Sequence, residues 1–186
     1  MVTYRDGTPI PQVTDNTEWE NLTTGAWSYY NNDPTKPRLY NWYAVMGIYD
    51  TDPNTPNKEF APEGWHVPSD AEWTTLENYL IANGYDASTT PGIDIGFAMA
   101  STTGWNNSYP ALSLNNRSGF NAFPEGYRYL NGSFYNEGSF AIFWSSTEND
   151  ANTAWDRNIS FDFGLPYLDR LGYNKRDGFS VRFVRD

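Results

Sequence analysis

Ser69-Asp70-Ala71-Glu72 is the one place in the chain where a complete helix-start signal stands. A Ser whose hydroxyl can accept from the N3 amide, and a Glu at N3 that can reach back, form a capping box. Trp73, Leu76 and Leu80 follow at i, i+3 and i+7, and Gly84 stands where a C-cap belongs. The spacing predicts a helix over 70–82. A weaker helical spacing of Leu39, Trp42, Tyr43 and Met46, ending on Gly47, predicts a first helix between Arg38 and Gly47. Ile93 to Ala100 reads as a short helical turn. With so few helical segments, most of the chain must fold as strands and loops.

The strand signals agree. The opening from Val2 to Trp27, broken by Asp6-Gly7-Thr8-Pro9 and Pro11, reads as short strands and loops, and Tyr49 to Pro68 as a long loop. Asn131-Gly132 is a hairpin turn between Tyr127-Arg128-Tyr129-Leu130 and Ser133-Phe134-Tyr135. Phe140–Ser145 and Ala154–Phe161 read as further strands. Phe179, Val181 and Phe183 alternate with Ser180 and Arg182, as in a half-buried terminal strand. Two helices followed by an antiparallel, loop-rich second half make an α+β domain. Its 186 residues suit one domain, spanning 1–186, with no internal repeat.

The chain has 8 Trp, 14 Tyr and 11 Phe, yet its mean hydropathy is −0.69. That combination fits a core of a few large rings inside long polar loops and does not fit a helical bundle. Cys is absent, which removes disulfides, thiolate metal sites and cysteine nucleophiles together. A net charge of −11 argues against nucleic-acid partners and anionic membrane surfaces. No apolar run is long enough for membrane insertion, and no targeting signal stands in the chain.

Catalytic constellations are poorly supported. His66 is the only histidine, and Glu63-Gly64-Trp65-His66-Val67-Pro68 reads as a loop in which it bonds backbone beside a buried Trp. Glu125, Glu137, Glu148 and Asp150 offer carboxylate pairs for glycoside hydrolysis, but a chain with 23 acidic residues supplies such pairs by composition alone. Calcium is the one cofactor the residues suggest. Glu148-Asn149-Asp150-Ala151-Asn152 and Asp50-Thr51-Asp52-Pro53-Asn54 cluster hard oxygen ligands, though neither follows the EF-hand register. The stretch from Asp156 to Asn174 mixes Tyr, Phe and Leu with Asp, Asn and Arg and has no clean period. It reads either as an irregular loop packed on its own rings or as a paratope of rigid rings and short adaptable polar groups.

Several strings together resemble the Fibrobacter succinogenes major paralogous domain family. They are Arg38-Leu39-Tyr40-Asn41-Trp42-Tyr43-Ala44, then Pro62-Glu63-Gly64-Trp65-His66-Val67-Pro68-Ser69-Asp70-Ala71-Glu72-Trp73. Ser118-Gly119-Phe120, Gly126-Tyr127-Arg128, Trp144-Ser145-Ser146-Thr147-Glu148 and Ala154-Trp155-Asp156-Arg157 follow, with Gly178-Phe179-Ser180-Val181-Arg182-Phe183-Val184-Arg185-Asp186 at the end. The resemblance implies a C-type lectin-like fold, with two helices around a small twisted antiparallel sheet and long loops. Formylglycine-generating relatives of that fold depend on cysteines, which this chain lacks, and the sugar-site tripeptides Glu-Pro-Asn and Gln-Pro-Asp are absent too. Members usually carry a Trp-Met-x-Glu-Asn-Leu-like strand ahead of the point where this sequence starts, which leaves the partner of the terminal strand open.

The family and its wider fold include variable proteins of diversity-generating retroelements in gut bacteria and phages, whose rewritten C-terminal segment binds ligand. In this chain that segment corresponds to 156–177. Lys, Glu, Gln, Met and Trp, the residues unreachable from an AAC codon mutated at its adenines, do not occur between Asp156 and Asn174. The resemblance thus implies a non-catalytic domain that binds a protein or glycan on a cell surface, located outside the cell or on a phage particle. Its expected ligand-binding residues are Asp156, Asn158, Ser160, Asp162, Tyr167, Asp169, Tyr173 and Asn174, displayed to solvent, with Arg157 structural. The rival readings are a carboxylate-based glycoside hydrolase and a structural module of a larger surface or fibre protein.

Overall fold

The computed structural model describes residues 1–85, 93–106, 115–161 and 167–186. Its first elements are α1 (Asn16–Glu20), β1 (Trp27–Tyr29), β2 (Arg38–Tyr40), α2 (Trp42–Val45), β3 (Trp65–His66), α3 (Asp70–Ala82) and α4 (Ile93–Met99). The second half supplies β4 (Tyr127–Arg128), β5 (Phe134–Tyr135), β6 (Phe140–Glu148), β7 (Thr153–Ser160), β8 (Tyr167–Asp169), β9 (Gly172–Asn174) and β10 (Val184–Arg185). This is an α+β architecture of small antiparallel sheets and few helices, with four helices among the described residues instead of two.

The α3 span matches the expected one, and the capping box forms: Ser69 accepts from the Glu72 amide while Glu72 accepts from the Ser69 amide at 2.8 Å. The helix expected from Arg38 to Gly47 is instead β2 followed by the four-residue α2. Asn41 explains the division. It is extended at ψ 161, and its side chain accepts from the Ala44 amide, so the helix starts only after it. Leu39 and Tyr40 upstream pair with Ser28 and Trp27 of β1. Gly47 sits at φ +70, and a Cβ there would stand 1.8 Å from the Lys58 carbonyl oxygen, so only glycine fits. α1 was hidden in a stretch that reads as strand and loop. Its signal is Asp15, whose carboxylate accepts from the Glu18 amide at 2.8 Å.

β6 and β7 form the central antiparallel ladder, with Trp144 opposite Asp156 and Ile142 opposite Asn158. The far half of β7 pairs with β8 and its near half with β9. On the other side of β6 the extended residues 178–180 bridge Phe143 through Ser180 and Tyr40 through Phe179. The expected terminal strand is therefore split: Phe179 is fully buried, Val181 and Phe183 are half-buried, and β10 pairs with β3.

Alternation along the ladder divides two cores. Ala141, Phe143, Ile159 and Phe161 pack against Trp73 and Leu80 of α3 and Phe97 of α4. Ile142, Trp144 and Ala154 pack with Tyr40, Trp42 and Phe179. Each such buried ring contributes about 1.5–3 kcal/mol of transfer free energy. The two layers hold the ladder rigidly between them, and β8 and β9 are carried along its free side.

Candidate functional site

Register places Asp156, Asn158 and Ser160 on one face of β7, the face shared with Trp144, Ile142 and Phe140. Asp169 stands opposite Asn158, Tyr167 opposite Ser160, and Tyr173 opposite Ala154. The ladder thus brings six of the eight expected binding residues together.

Their exposure departs from the expectation of display. Asp156 is 0% exposed, Asn158 2% and Ser160 6%, so these three form a buried floor. The reason is that both faces of β7 are covered, which a mixed polar and apolar run does not announce. Tyr167, Asp169, Tyr173 and Asn174 are half-buried. Asp162 lies outside the described residues. Asn174 points to a different neighbourhood: with Asn21, Tyr43, Asn152 and Arg176 it lines a groove of about 300 Å³.

The floor is unusual in its bonding. Both carboxylate oxygens of Asp156 and the amide oxygen of Asn158 are buried without a hydrogen-bond partner, as is Oδ1 of Asp177. Unpartnered buried polar atoms cost about 1–3 kcal/mol each. Burial pushes the Asp156 carboxyl well above the usual carboxylate range, and the charges of Asp169 and Asp177 push it further against the pull of Arg157. Burial also raises Asp177 to about 7 and Asp169 above its ordinary value. Phe179 lies between two half-buried tyrosines, its ring centroid 5.2 Å from Tyr173 and 6.0 Å from Tyr127. Burial, then the charge of Asp156, lifts the Tyr173 phenol to about 12, so it stays a neutral donor. Asp177 and Tyr127 escaped the sequence reading. Tyr127 stands in a hairpin strand and reads as scaffold, and only the fold brings it to this face.

The opposite face of β7 is fully partnered. Arg157, 0% exposed, donates through Nη1 to Asp70 Oδ1 at 2.8 Å, through Nη2 to Thr74 Oγ1 at 3.2 Å and through Nε to Glu77. Arg170 donates to both oxygens of Asp70 at 2.8 and 2.9 Å and lies 3.3 Å from the Trp155 ring centroid. Arg157 therefore ties β7 to α3, a structural task.

Elsewhere the polar groups close turns or latch chain ends. His66 does not bond loop backbone: its Nδ1 meets Asp186 at 2.6 Å and its Nε2 meets Glu72 at 2.7 Å, and Trp65 beside it is exposed. Asp150 Oδ1 accepts from the Asn152 and Thr153 amides, Glu148 pairs with Lys175, and Asp52 Oδ1 accepts from the Asn54 amide. Among the described residues no three His, Cys, Asp or Glu side chains are grouped to hold a metal ion. No helix among them is long and apolar enough to cross a membrane.

An α+β domain whose central ladder carries an acidic, tyrosine-flanked floor on one face and an arginine network on the other is the class these observations define. The chain belongs to the Fibrobacter succinogenes major domain family, whose model matches residues 1–185. Neither a curated protein nor a solved structure matches it.

Proposed function

We propose that this chain is a non-catalytic recognition domain of C-type lectin-like fold that binds a protein or glycan on a cell surface, outside the cell or on a phage particle. The observation that carries the reading is the β7–β8–β9 face. Half-buried tyrosines supply rigid contact area at low entropic cost, and the polar atoms beneath them lack partners within the fold. On the family resemblance, the floor falls within the segment that would be rewritten in retroelement variable proteins. Its burial shifts the contacting part to Tyr167, Asp169 and Tyr173, with Asp156, Asn158 and Ser160 beneath.

The test is binding to peptide and glycan panels by the wild-type chain and by Tyr173→Ala and Asp169→Ala. Recognition at this face requires that both variants lose binding at least tenfold while their circular dichroism stays native. Unchanged binding in both moves the site elsewhere.

Asp156 and Asp177 favour a second reading, a carboxylate-based glycosidase, because a carboxyl near 7 suits a general acid. Burial of both side chains suits a floor better than a proton donor that must meet substrate. Hydrolysis of chromogenic glycosides by the wild type, lost in Asp177→Asn, would establish the enzyme instead.

A further inference from the structure

The floor of the face carries carboxyl groups that no cation among the described residues pairs with directly. Asp156 and Asn158 are more than nine-tenths buried, and their side-chain oxygens accept from no donor. Every cation on the elements around them is engaged elsewhere. Arg157 projects from the opposite side of β7 to Asp70, Glu77 and Thr74. Arg170 is held by Asp70 and stacked on Trp155. Lys175 pairs with Glu148 and the Ala151 carbonyl, and Arg176 bonds Asn174 and the Glu20 carbonyl. Arg128 is surrounded by backbone carbonyls, among them Val13 at 2.6 Å and Gly132 at 2.8 Å. A carboxylate removed from water and left unpaired is costly, and in the resting fold protonation relieves it.

We propose that the face takes a positively charged side chain, the guanidinium or ammonium of an Arg or Lys on a protein partner, with Asp169 at the entrance and Asp156 and Asn158 as the floor. This rests on the recognition reading and names the chemistry of its ligand. Half-buried Asp169, whose upward shift has burial as its one cause, and Tyr173 flank the floor on the side of β8 and β9. Tyr173 and Tyr127 pack edge-on against Phe179 and are only half-buried, so what remains exposed of their rings would meet the aliphatic stem of such a residue. A metal ion is the weaker fit, since no three acidic side chains among the described residues come together around one point. The net charge of −11 steers a basic partner towards the chain.

Cation binding here must release protons. Asp156, Asp169 and Asp177 are all raised, with Tyr173 and Arg157 the other titratable groups acting on Asp156 or acted on by it. An incoming cation favours the ionised carboxylates, so affinity rises with pH between 5.5 and 8.

The test is an amide NMR titration of the full chain with Nα-acetyl-arginine amide, with its neutral isostere Nα-acetyl-citrulline amide, and with calcium chloride. The arginine probe is expected to shift the Asn158, Asp169 and Tyr173 amides saturably, at least tenfold more tightly than the citrulline probe, and more tightly at pH 8 than at 5.5. Asp169→Asn, at a half-exposed position, should weaken it at least fivefold, and so should Asp156→Asn if circular dichroism shows it folded. Equal binding of the two probes, no shift with either, or a calcium response at these amides without an arginine response each overturns the proposal. If the panel ligands still depend on Tyr173 in any of those cases, the recognition reading survives and only its cationic chemistry is lost.

Discussion

Asp156 and Arg157 are neighbours on β7 that point to opposite faces, and their side chains have opposite fates. The guanidinium is matched to Asp70, Glu77 and Thr74 on α3, whereas both oxygens of the carboxylate are buried without a partner. One face of the strand is built for stability. The other carries an energetic cost that no partner within the fold offsets, and the proposed recognition role rests on it.

Arg157 sets the first prediction. Its side chain is 1% exposed and bridges β7 to α3. Arg157→Ala leaves Glu77 and Asp70 facing a void and should cost about 3–5 kcal/mol in urea unfolding, the range for breaking a buried pair from one side. A loss below about 1 kcal/mol would show that the network is no stronger than an exposed ion pair.

Trp73 sets the second. It is 2% exposed and packs against Phe143 and Phe120, with centroids 6.0 and 5.8 Å away. Trp73→Ala should destabilise the chain by about 3–5 kcal/mol. A change under about 0.5 kcal/mol in denaturant unfolding would mean that α3 is not packed on the ladder.

The acidic floor gives a pH dependence whose sign follows from its raised carboxyls. Folding holds Asp156, Asp177 and Glu125 protonated more tightly than the unfolded chain does. Stability from these groups is therefore full below the unfolded value of about 4 and declines as pH rises through the folded value, about 7 for Asp177. For Asp177 the decline is on the order of 4 kcal/mol across that window. Thermal unfolding should show a lower melting temperature at pH 8 than at pH 5, and Asp177→Asn should remove much of the difference. A higher melting temperature at pH 8 would contradict the burial of this group as a neutral acid.

His66 gives a local dependence of the same sign. Bonds to Asp186 and then Glu72 raise its pKa, so its contribution is present below about 6.5 and lost as pH rises through the folded value. The loss falls on the chain end, where the Asp186 amide donates to the Gly64 carbonyl at 3.1 Å. Hydrogen exchange at Asp186, corrected for the intrinsic rate, should lose protection between pH 6 and 8, and His66→Gln should abolish that change. Protection that is flat with pH in the wild type would show that the latch does not hold the terminus.

Exchange of the floor for neutral polarity separates stability from binding. Asp156→Asn removes a desolvated acid without changing its volume, and at pH 8 it should raise the melting temperature while weakening ligand binding. A fall in melting temperature would mean that the carboxylate has a partner in solution, a bound water or ion, that the variant loses.

Local chemistry was enough for the elements that carry their own signals. The capping box at Ser69 placed α3, Asn131-Gly132 placed the β4–β5 hairpin with Gly132 at φ +86, and the two polar-apolar runs placed β6 and β7. The strings from Arg38 to Asp186 were enough to place the chain in its family. Those features are set by residues within a few positions of one another. Which face of β7 meets which layer was not legible, because period-2 alternation sorts Asp156, Asn158 and Ser160 from Arg157 and Ile159 without saying that both sets are covered. The side-chain partners of His66, the arrival of Asp177 beside Asp156 and that of Tyr127 against Phe179 were likewise decided only by tertiary structure. Each depends on contacts between segments far apart in sequence, and long-range packing is the one property that a local pattern cannot encode.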